Sequence, residues 1–229
     1  MTPEVLAFMP LVLDGAILTI QLSLVSAALA VAFGALGAAA RLGGGAMSSA
    51  VGAAYVGVVR AVPDLVLMLL VFFGGQLLVN AVAENVAFVD RFQIPKFAAG
   101  AFTFGLIFGS YMTETFRAAY LSIPKGQIEA AKSLGLGTRQ WLRLVVWPQL
   151  VPLALPSFTN NYLVLMKTTA LVSIIGLQDV TYTALQAGRT TREPFAFLVV
   201  AMLVYLAFTI VCDGGLRVLE RRYRVARAA

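Results

Sequence analysis

Residues 11–40 read LVLDGAILTIQLSLVSAALAVAFGALGAAA and carry a single charge, Asp14. A helix crosses the hydrocarbon core of a bilayer with about 20 predominantly apolar residues. This run is longer than the core of a signal peptide, and no Lys or Arg precedes it. The stretch therefore predicts a retained, tilted membrane helix.

The composition of the whole chain supports lipid as its main solvent. Of its 229 residues, 60% are hydrophobic and 12% are charged, and the mean hydropathy is +0.87. Soluble domains are nearer 45–50% apolar and about 25% charged. The length suits one domain, so we expect a single transmembrane domain over residues 1–229.

Four more apolar segments follow the first, at residues 55–83, 97–120, 144–166 and 195–216. We therefore predict an all-α membrane protein with five transmembrane helices. Pro148, Pro152 and Pro156 are expected to break the fourth helix. Residues 167–193 are apolar and then polar, which favours a short helix on or in the outer membrane surface. In the third helix, Ala101, Gly105 and Gly109 at four-residue spacing predict a close contact, within the chain or with a partner subunit.

The basic residues give the orientation, because Lys and Arg accumulate in cytoplasmic loops. An N-out, C-in arrangement places most of them inside: Arg41 and Arg60; Arg117, Lys125, Lys132, Arg139 and Arg143; and Arg217, Arg221, Arg222, Arg224 and Arg227. The outside then holds only Arg91, Lys96, Lys167, Arg189 and Arg192.

Several classes of function are disfavoured by composition. The chain has no His and one Cys, which argues against metal sites, catalytic triads and internal disulfides. It lacks the Gly-x-x-x-x-Gly-Lys-(Ser/Thr) phosphate loop. Its net charge of +6 suits cytoplasmic loops rather than nucleic acid. We therefore expect no catalytic residue, metal or cofactor in this chain.

The most specific motif is Glu129-Ala130-Ala131, followed after three residues by Gly135 and after nine more by Val145, with Trp147-Pro148 closing it. It resembles the EAA loop of binding-protein-dependent importer permeases, with Val for the usual Ile and Trp for the usual Leu. Pro124 suits a first helical turn, the residues after it are good helix formers, and Gly135 and Gly137 are natural C-cap positions. Residues 122–143 are thus predicted to be a cytoplasmic loop containing a short docking helix.

Further stretches are similar to one branch of that family. They are Arg60-Ala61-Val62-Pro63, Tyr111-Met112-Thr113-Glu114-Thr115-Phe116-Arg117, Ile123-Pro124-Lys125-Gly126-Gln127, Asn160-Asn161, Lys167-Thr168-Thr169-Ala170-Leu171 and Leu219-Glu220-Arg221-Arg222-Tyr223. The chain resembles permease subunits of polar-amino-acid ABC importers, of the HisQ type that serves histidine, lysine, arginine, ornithine or opines. The resemblance covers most of the chain from about residue 15.

That resemblance implies a type I importer (MetI-like) fold in the bacterial inner membrane. It also implies a second homologous permease subunit of the HisM type, an ATPase dimer that holds ATP and Mg²⁺, and a periplasmic amino-acid-binding protein. In the family, the helix at 129–135 is a coupling helix that rests in a groove of the ATPase. Glu129, Ala130, Ala131 and Gly135 are the matching residues here.

Acids within spans are expensive in lipid and are therefore candidates for function. Asp64 and Glu114 would suit a cationic amino acid. Arg60 is four residues before Asp64 and Arg117 is three residues after Glu114, so simple pairing on one helix face is the alternative. We make the same kind of prediction for Asp213 and Arg217.

Asn160, Asn161 and Thr168 lie toward the outer end of the fourth predicted helix. They are candidates for contact with a translocated amino acid, or for hydrogen bonds to backbone and neighbouring helices. Two other readings of the whole chain remain. One is an ion-coupled secondary transporter, although we find no internal repeat typical of such folds; the other is a membrane scaffold without transport activity.

Overall fold

The computed structural model of the chain describes residues 7–85 and 93–228. Within these two ranges every regular element is helical. The α-helices are α1 (Met9–Leu42), α2 (Ala46–Ala61), α3 (Asp64–Leu69), α4 (Gly75–Asn85), α5 (Lys96–Leu121), α6 (Lys125–Ser133), α7 (Thr138–Trp141), α8 (Trp147–Thr168), α9 (Val180–Thr191) and α10 (Pro194–Ala228). Two π-helical turns (Leu70–Gly74 and Leu142–Val146) and a 3-10 helix (Thr169–Ile175) join some of them.

In the described part of the chain, three helices are long and apolar enough to cross a membrane: Met9–Leu42, Asp64–Glu84 and Pro194–Tyr223. The helical stretch Thr138–Ile175 together with Val180–Thr191, bent by 50°, is a fourth candidate. The all-helical prediction is confirmed. The count of five and the N-out orientation stay predictions, and Arg91, which entered the charge comparison, lies outside the described residues.

Helix α5 corresponds to the third predicted span, and it is the centre of the bundle. Its 26 residues extend about 39 Å, enough for a bilayer. Half of them are buried, and Thr103, Ser110 and Thr113 are fully enclosed, each bonded to a carbonyl three or four residues earlier. A helix surrounded by other helices can carry such polar residues, because protein rather than lipid covers them.

The second predicted span, at 55–83, is wrong in its first part. The chain is helical up to Ala61, extended at Val62 and Pro63, and helical again from Asp64. Proline has no N–H and disfavours helical geometry in the residue before it. The break makes α2 a separate helix, and the long apolar span begins only at Asp64.

The fourth predicted span is continuous, contrary to the expected proline break. Pro148 lies in the first turn of α8, where its missing N–H has no intrahelical partner to lose. Pro152 and Pro156 lie inside the helix, which continues through both of them to Thr168. The stretch at 167–193 forms the 3-10 helix and α9, so the expectation of a short helix there is confirmed.

Helices α1 and α5 pack at very short range along a line of glycines. A Cβ on Gly34 or Gly37 would overlap Met112 or Thr113 of α5. On the α5 side of the same contact, a Cβ on Gly109 would lie 2.6 Å from the Cβ of Phe33 in α1. The predicted close contact of the small residues on α5 is therefore confirmed, and it is made within the chain.

A second, smaller core joins α9 and α10 to the N-terminal part of α1. Val12, Val180, Ala184, Ala187 and Phe197 are its most enclosed members. Asp179, itself fully buried, begins α9 by accepting a hydrogen bond from the backbone N–H of Tyr182 at 2.9 Å. This N-cap fixes the position of α9 against the N-terminal part of α1.

Candidate functional site

The loop at 122–143 folds into a short helix with a defined end. Pro124 precedes α6, and the backbone N–H of Leu136 donates to the carbonyl of Ala131 at 3.2 Å. The N–H of Gly135 donates to Lys132 at 2.9 Å, with Gly135 at φ +76°. This is a Schellman cap, in which the left-handed residue is normally glycine. The predicted C-cap at Gly135 is thus observed, whereas Gly137 instead begins α7.

The four predicted coupling residues are not equivalent in the fold. Glu129, Ala130 and Gly135 are exposed, whereas Ala131 is 4% exposed and faces the rest of the chain. Leu134, at the end of the helix, exposes 81% of its surface. The exposed face of α6 therefore combines an acid (Glu129), a small residue (Ala130) and an apolar residue at its end (Leu134).

Two contacts hold this loop to the bundle, and a third joins α6 to α7 within the loop. Ile123 is buried beneath its start. Gln149 of α8 donates to the side chain of Gln127 at 2.6 Å, and Lys132 lies 5.4 Å from the ring centre of Trp141. Displacement of α6 would therefore be transmitted to the first turns of α8.

Glu114 is paired with two arginines. One carboxylate oxygen accepts from Arg41 at the end of α1, and the other lies 3.5 Å from Arg117. All three side chains are about one fifth to one third exposed. The pairing of Glu114 with Arg117 is confirmed as one of the two alternatives, while Arg41 is a partner that the sequence analysis missed.

The expected pair of Arg60 and Asp64 does not form. The extended residues Val62 and Pro63 destroy the helical register that would place the two side chains on one face. Arg60 instead donates to the carbonyl of Ser110 at 2.8 Å and lies 4.3 Å from the ring centre of Tyr111. Asp64 is half-buried and makes no ion pair with any residue in the described ranges.

The three predicted polar residues of α8 differ in their surroundings. Asn161 donates to the hydroxyl of Thr115 on α5 at 3.3 Å. Thr168 donates to the carbonyl of Val164 in its own helix. Asn160 is exposed, on a face of α8 that the described chain does not cover.

Arg60, Tyr111, Thr115 and Asn161 form a continuous polar strip across three helices. The Cζ of Arg60 lies over the Tyr111 ring, Thr115 donates to the carbonyl of Tyr111 at 3.0 Å, and Asn161 donates to Thr115. The strip therefore contains one predicted candidate, Asn161, and three residues that were not predicted. The signal for Arg60 was available, because an arginine within an apolar span is itself a functional candidate.

Two acids that the sequence analysis did not name as site candidates have structural partners. Asp179 caps α9, and a cap could have been inferred from an Asp just before a helical pattern. Glu220 of α10 accepts from Thr159 of α8 at 2.6 Å.

Asp213 and Arg217 form the predicted surface pair at 2.7 Å. No cluster of His, Cys, Asp or Glu in the described ranges could hold a metal ion.

Comparison with known proteins relates this geometry to transport systems. The chain is 45% identical over 218 residues to the histidine/lysine/arginine/ornithine transport system permease protein HisQ of Salmonella typhimurium, covering 95% of each chain. Its fold matches a crystallised amino acid ABC transporter with histidines (TM-score 0.80, 28% identity, 97% and 100% coverage). It also matches the methionine ABC transporter MetNI (TM-score 0.78, 17% identity, 97% and 99% coverage), which confirms the expected MetI-like fold.

Residues 30–225 match the family described as binding-protein-dependent transport system inner membrane component. This match spans the polar strip, the α6 loop and the glycine seam, which is the contact of α1 with α5 at Gly34, Gly37 and Gly109. The chain therefore belongs to the family of inner membrane permease components of binding-protein-dependent ABC transport systems.

Proposed function

We propose that the chain is a permease subunit that moves basic amino acids from periplasm to cytoplasm by ATP-driven alternating access. The similarity to a histidine/lysine/arginine/ornithine permease along nearly its whole length carries this proposal. Members of this family work with an ATPase and a substrate-binding protein. The whole chain, 1–229, then acts as one transmembrane unit, with 122–143 as its cytoplasmic docking loop.

The exposed face of α6 would dock on the ATPase, where ATP and Mg²⁺ would be held. Glu129 and Ala130 would meet the ATPase surface, and the Schellman cap at Gly135 would keep the helix end rigid. The bond from Gln149 to Gln127 and the contact of Lys132 with Trp141 support transmission to α8. Closing of the ATPase subunits would thus move the beginning of α8.

The substrate would pass along the polar strip and the neighbouring exposed residues. Asp64 is the better acidic candidate for a cationic side chain, because it is half-buried and unpaired in the described ranges. Glu114 has two arginine partners and would instead fix α1 to α5. Asn160, Asn161 and Thr168 are proposed to line the same path on α8.

A second permease subunit of the HisM type would cover the face that this chain leaves open. In the Asp64–Glu84 span, Leu77 and Leu78 each expose 70% of their surface. Ser157, Asn160 and Val164 form an exposed, partly polar stripe on α8. Polar residues at that depth favour a protein or water-filled cavity over lipid.

The test is to co-express the chain with candidate ATPase and permease partners, purify through a tag on this chain, and assay ATP hydrolysis in lipid nanodiscs. The expected result is a co-purified ATPase whose hydrolysis rises on adding binding protein with L-arginine. A chain that purifies alone and never stimulates ATP hydrolysis would refute the proposal.

A further inference from the structure

Arg60 carries a positive charge near the middle of the bundle and has no ion-pair partner among the described residues. The carbonyl that it contacts, Ser110, lies about 21 Å along α5 from Lys96 and about 17 Å from Leu121, at 1.5 Å per residue. No carboxylate of the described residues lies within ion-pair distance of its guanidinium. This differs from Arg41 and Arg117, which share Glu114.

An arginine at this depth requires a polar environment. A charge facing lipid is costly, so such residues usually face the bundle interior or a water-filled cavity. The arginine side chain has five N–H donors, and its contact with Ser110 uses one of them. The side chain is nevertheless exposed in this chain, which leaves donors directed at whatever occupies the adjacent space.

The surroundings hold the guanidinium in a fixed orientation. Its Cζ lies over the Tyr111 ring, 4.3 Å from the ring centroid, and one of its terminal N–H groups donates to the Ser110 carbonyl at 2.8 Å. A planar guanidinium held in this way presents a fork of donors that matches a carboxylate. Every amino acid has such a carboxylate, whatever its side chain.

We propose that Arg60 binds the α-carboxylate of the translocated amino acid. This inference rests on the proposed function and adds a specificity residue to the polar strip. It explains how a path with an acid for the cationic end also selects amino acids over simple amines. Tyr111 positions the guanidinium, and the carbonyl of Ser110 accepts a hydrogen bond from the part of the guanidinium that does not face the carboxylate.

L-arginine and agmatine provide a direct test, because agmatine is arginine without its carboxylate. Their equilibrium binding is measured to the complete complex in nanodiscs, without binding protein, for the wild type and for Arg60→Gln. We expect the wild type to bind L-arginine at least tenfold more tightly than agmatine. In Arg60→Gln the ratio falls to about one through loss of L-arginine affinity, while agmatine affinity is unchanged or improved.

Arg60→Lys is the second variant, and it serves if Arg60→Gln does not assemble. It keeps the charge but lacks the bidentate fork, so the ratio should fall several-fold and not to one. Arg217→Lys, at an exposed pair on α10, is the matched control and should leave the ratio unchanged. A purely structural tether would weaken both ligands equally.

The inference is overturned if the wild type binds both ligands alike, including binding neither, or if the Arg60 variants retain the wild-type ratio. ATP-driven uptake of L-arginine with binding protein is measured in parallel. Absence of uptake by the wild type refutes the proposed function itself. Normal uptake without carboxylate discrimination refutes only the role of Arg60.

Discussion

Helix α1 and the Asp64–Glu84 span are both strongly apolar, yet they occupy opposite environments. Eleven residues of α1 are buried in the chain, whereas the span buries little besides Leu67, Met68 and Ala83. The difference lies in the small residues. Gly34 and Gly37 meet α5 directly, whereas Gly74 has nothing within 4 Å of its would-be Cβ. Hydropathy identifies membrane helices, but small residues opposite small residues identify those that pack within the subunit.

The largest expected effect comes from filling the glycine seam. Gly34→Leu forces a side chain into Met112 of α5 and should cost at least about 3 kcal/mol, the upper end for overpacked cores. Gly57→Leu, at a position with open space, is the matched control. Thermal unfolding of the purified chain in detergent measures both. Equal melting temperatures for the two variants would show that α1 and α5 do not meet along this line.

The second prediction concerns the pairing at the end of the same two helices. Glu114→Gln leaves Arg41 and Arg117 facing each other and should destabilise the chain by about 1–3 kcal/mol, less than a fully buried pair. Asp213→Asn breaks an exposed pair and should cost about 0.3–0.5 kcal/mol. Both are read from thermal unfolding. A Glu114→Gln variant with unchanged stability and abolished uptake would instead support direct substrate contact.

A smaller effect separates two adjacent asparagines of α8. Asn161→Ala removes the hydrogen bond to Thr115 and should cost about 1 kcal/mol in stability. Asn160→Ala changes an exposed side chain and should leave stability unchanged while reducing uptake. Unfolding and uptake are measured on both variants. If Asn160→Ala transported normally, Asn160 would no longer be a candidate for the path.

The smallest effect on the chain itself is expected on the Asp64–Glu84 span. Leu77→Ser and Leu78→Ser change exposed residues and should alter the stability of the isolated chain by no more than about 0.5 kcal/mol. Their effect should appear in assembly, as weaker co-purification of the second permease. Intact assembly with both variants would indicate that this face contacts lipid.

Local signals carried most of what the sequence predicted correctly. Long apolar runs identified α1 and α5, and a motif with its cap residues identified α6 and the turn at Gly135. The break at Pro63 was also local, because a proline restricts the residue before it. It was missed because the apolar run continues across the break.

Long-range pairings were beyond the sequence. Arg41 and Glu114 are 73 residues apart, and no spacing rule connects them. The polar strip likewise depends on how α2, α5 and α8 are arranged in space. Because the chain breaks at Val62 and Pro63, Asp64 leaves the register of α2, and Arg60 contacts α5 instead.

The most direct test of coupling through α6 is uptake of L-arginine into proteoliposomes that contain the complete transporter. The wild type should accumulate it only with ATP on the ATPase side and binding protein on the other. Glu129→Arg should assemble but transport at a small fraction of this rate, while Arg221→Glu, an exposed charge reversal on α10, should transport normally. Uptake that follows an ion gradient without ATP, or normal uptake by Glu129→Arg, would contradict the account.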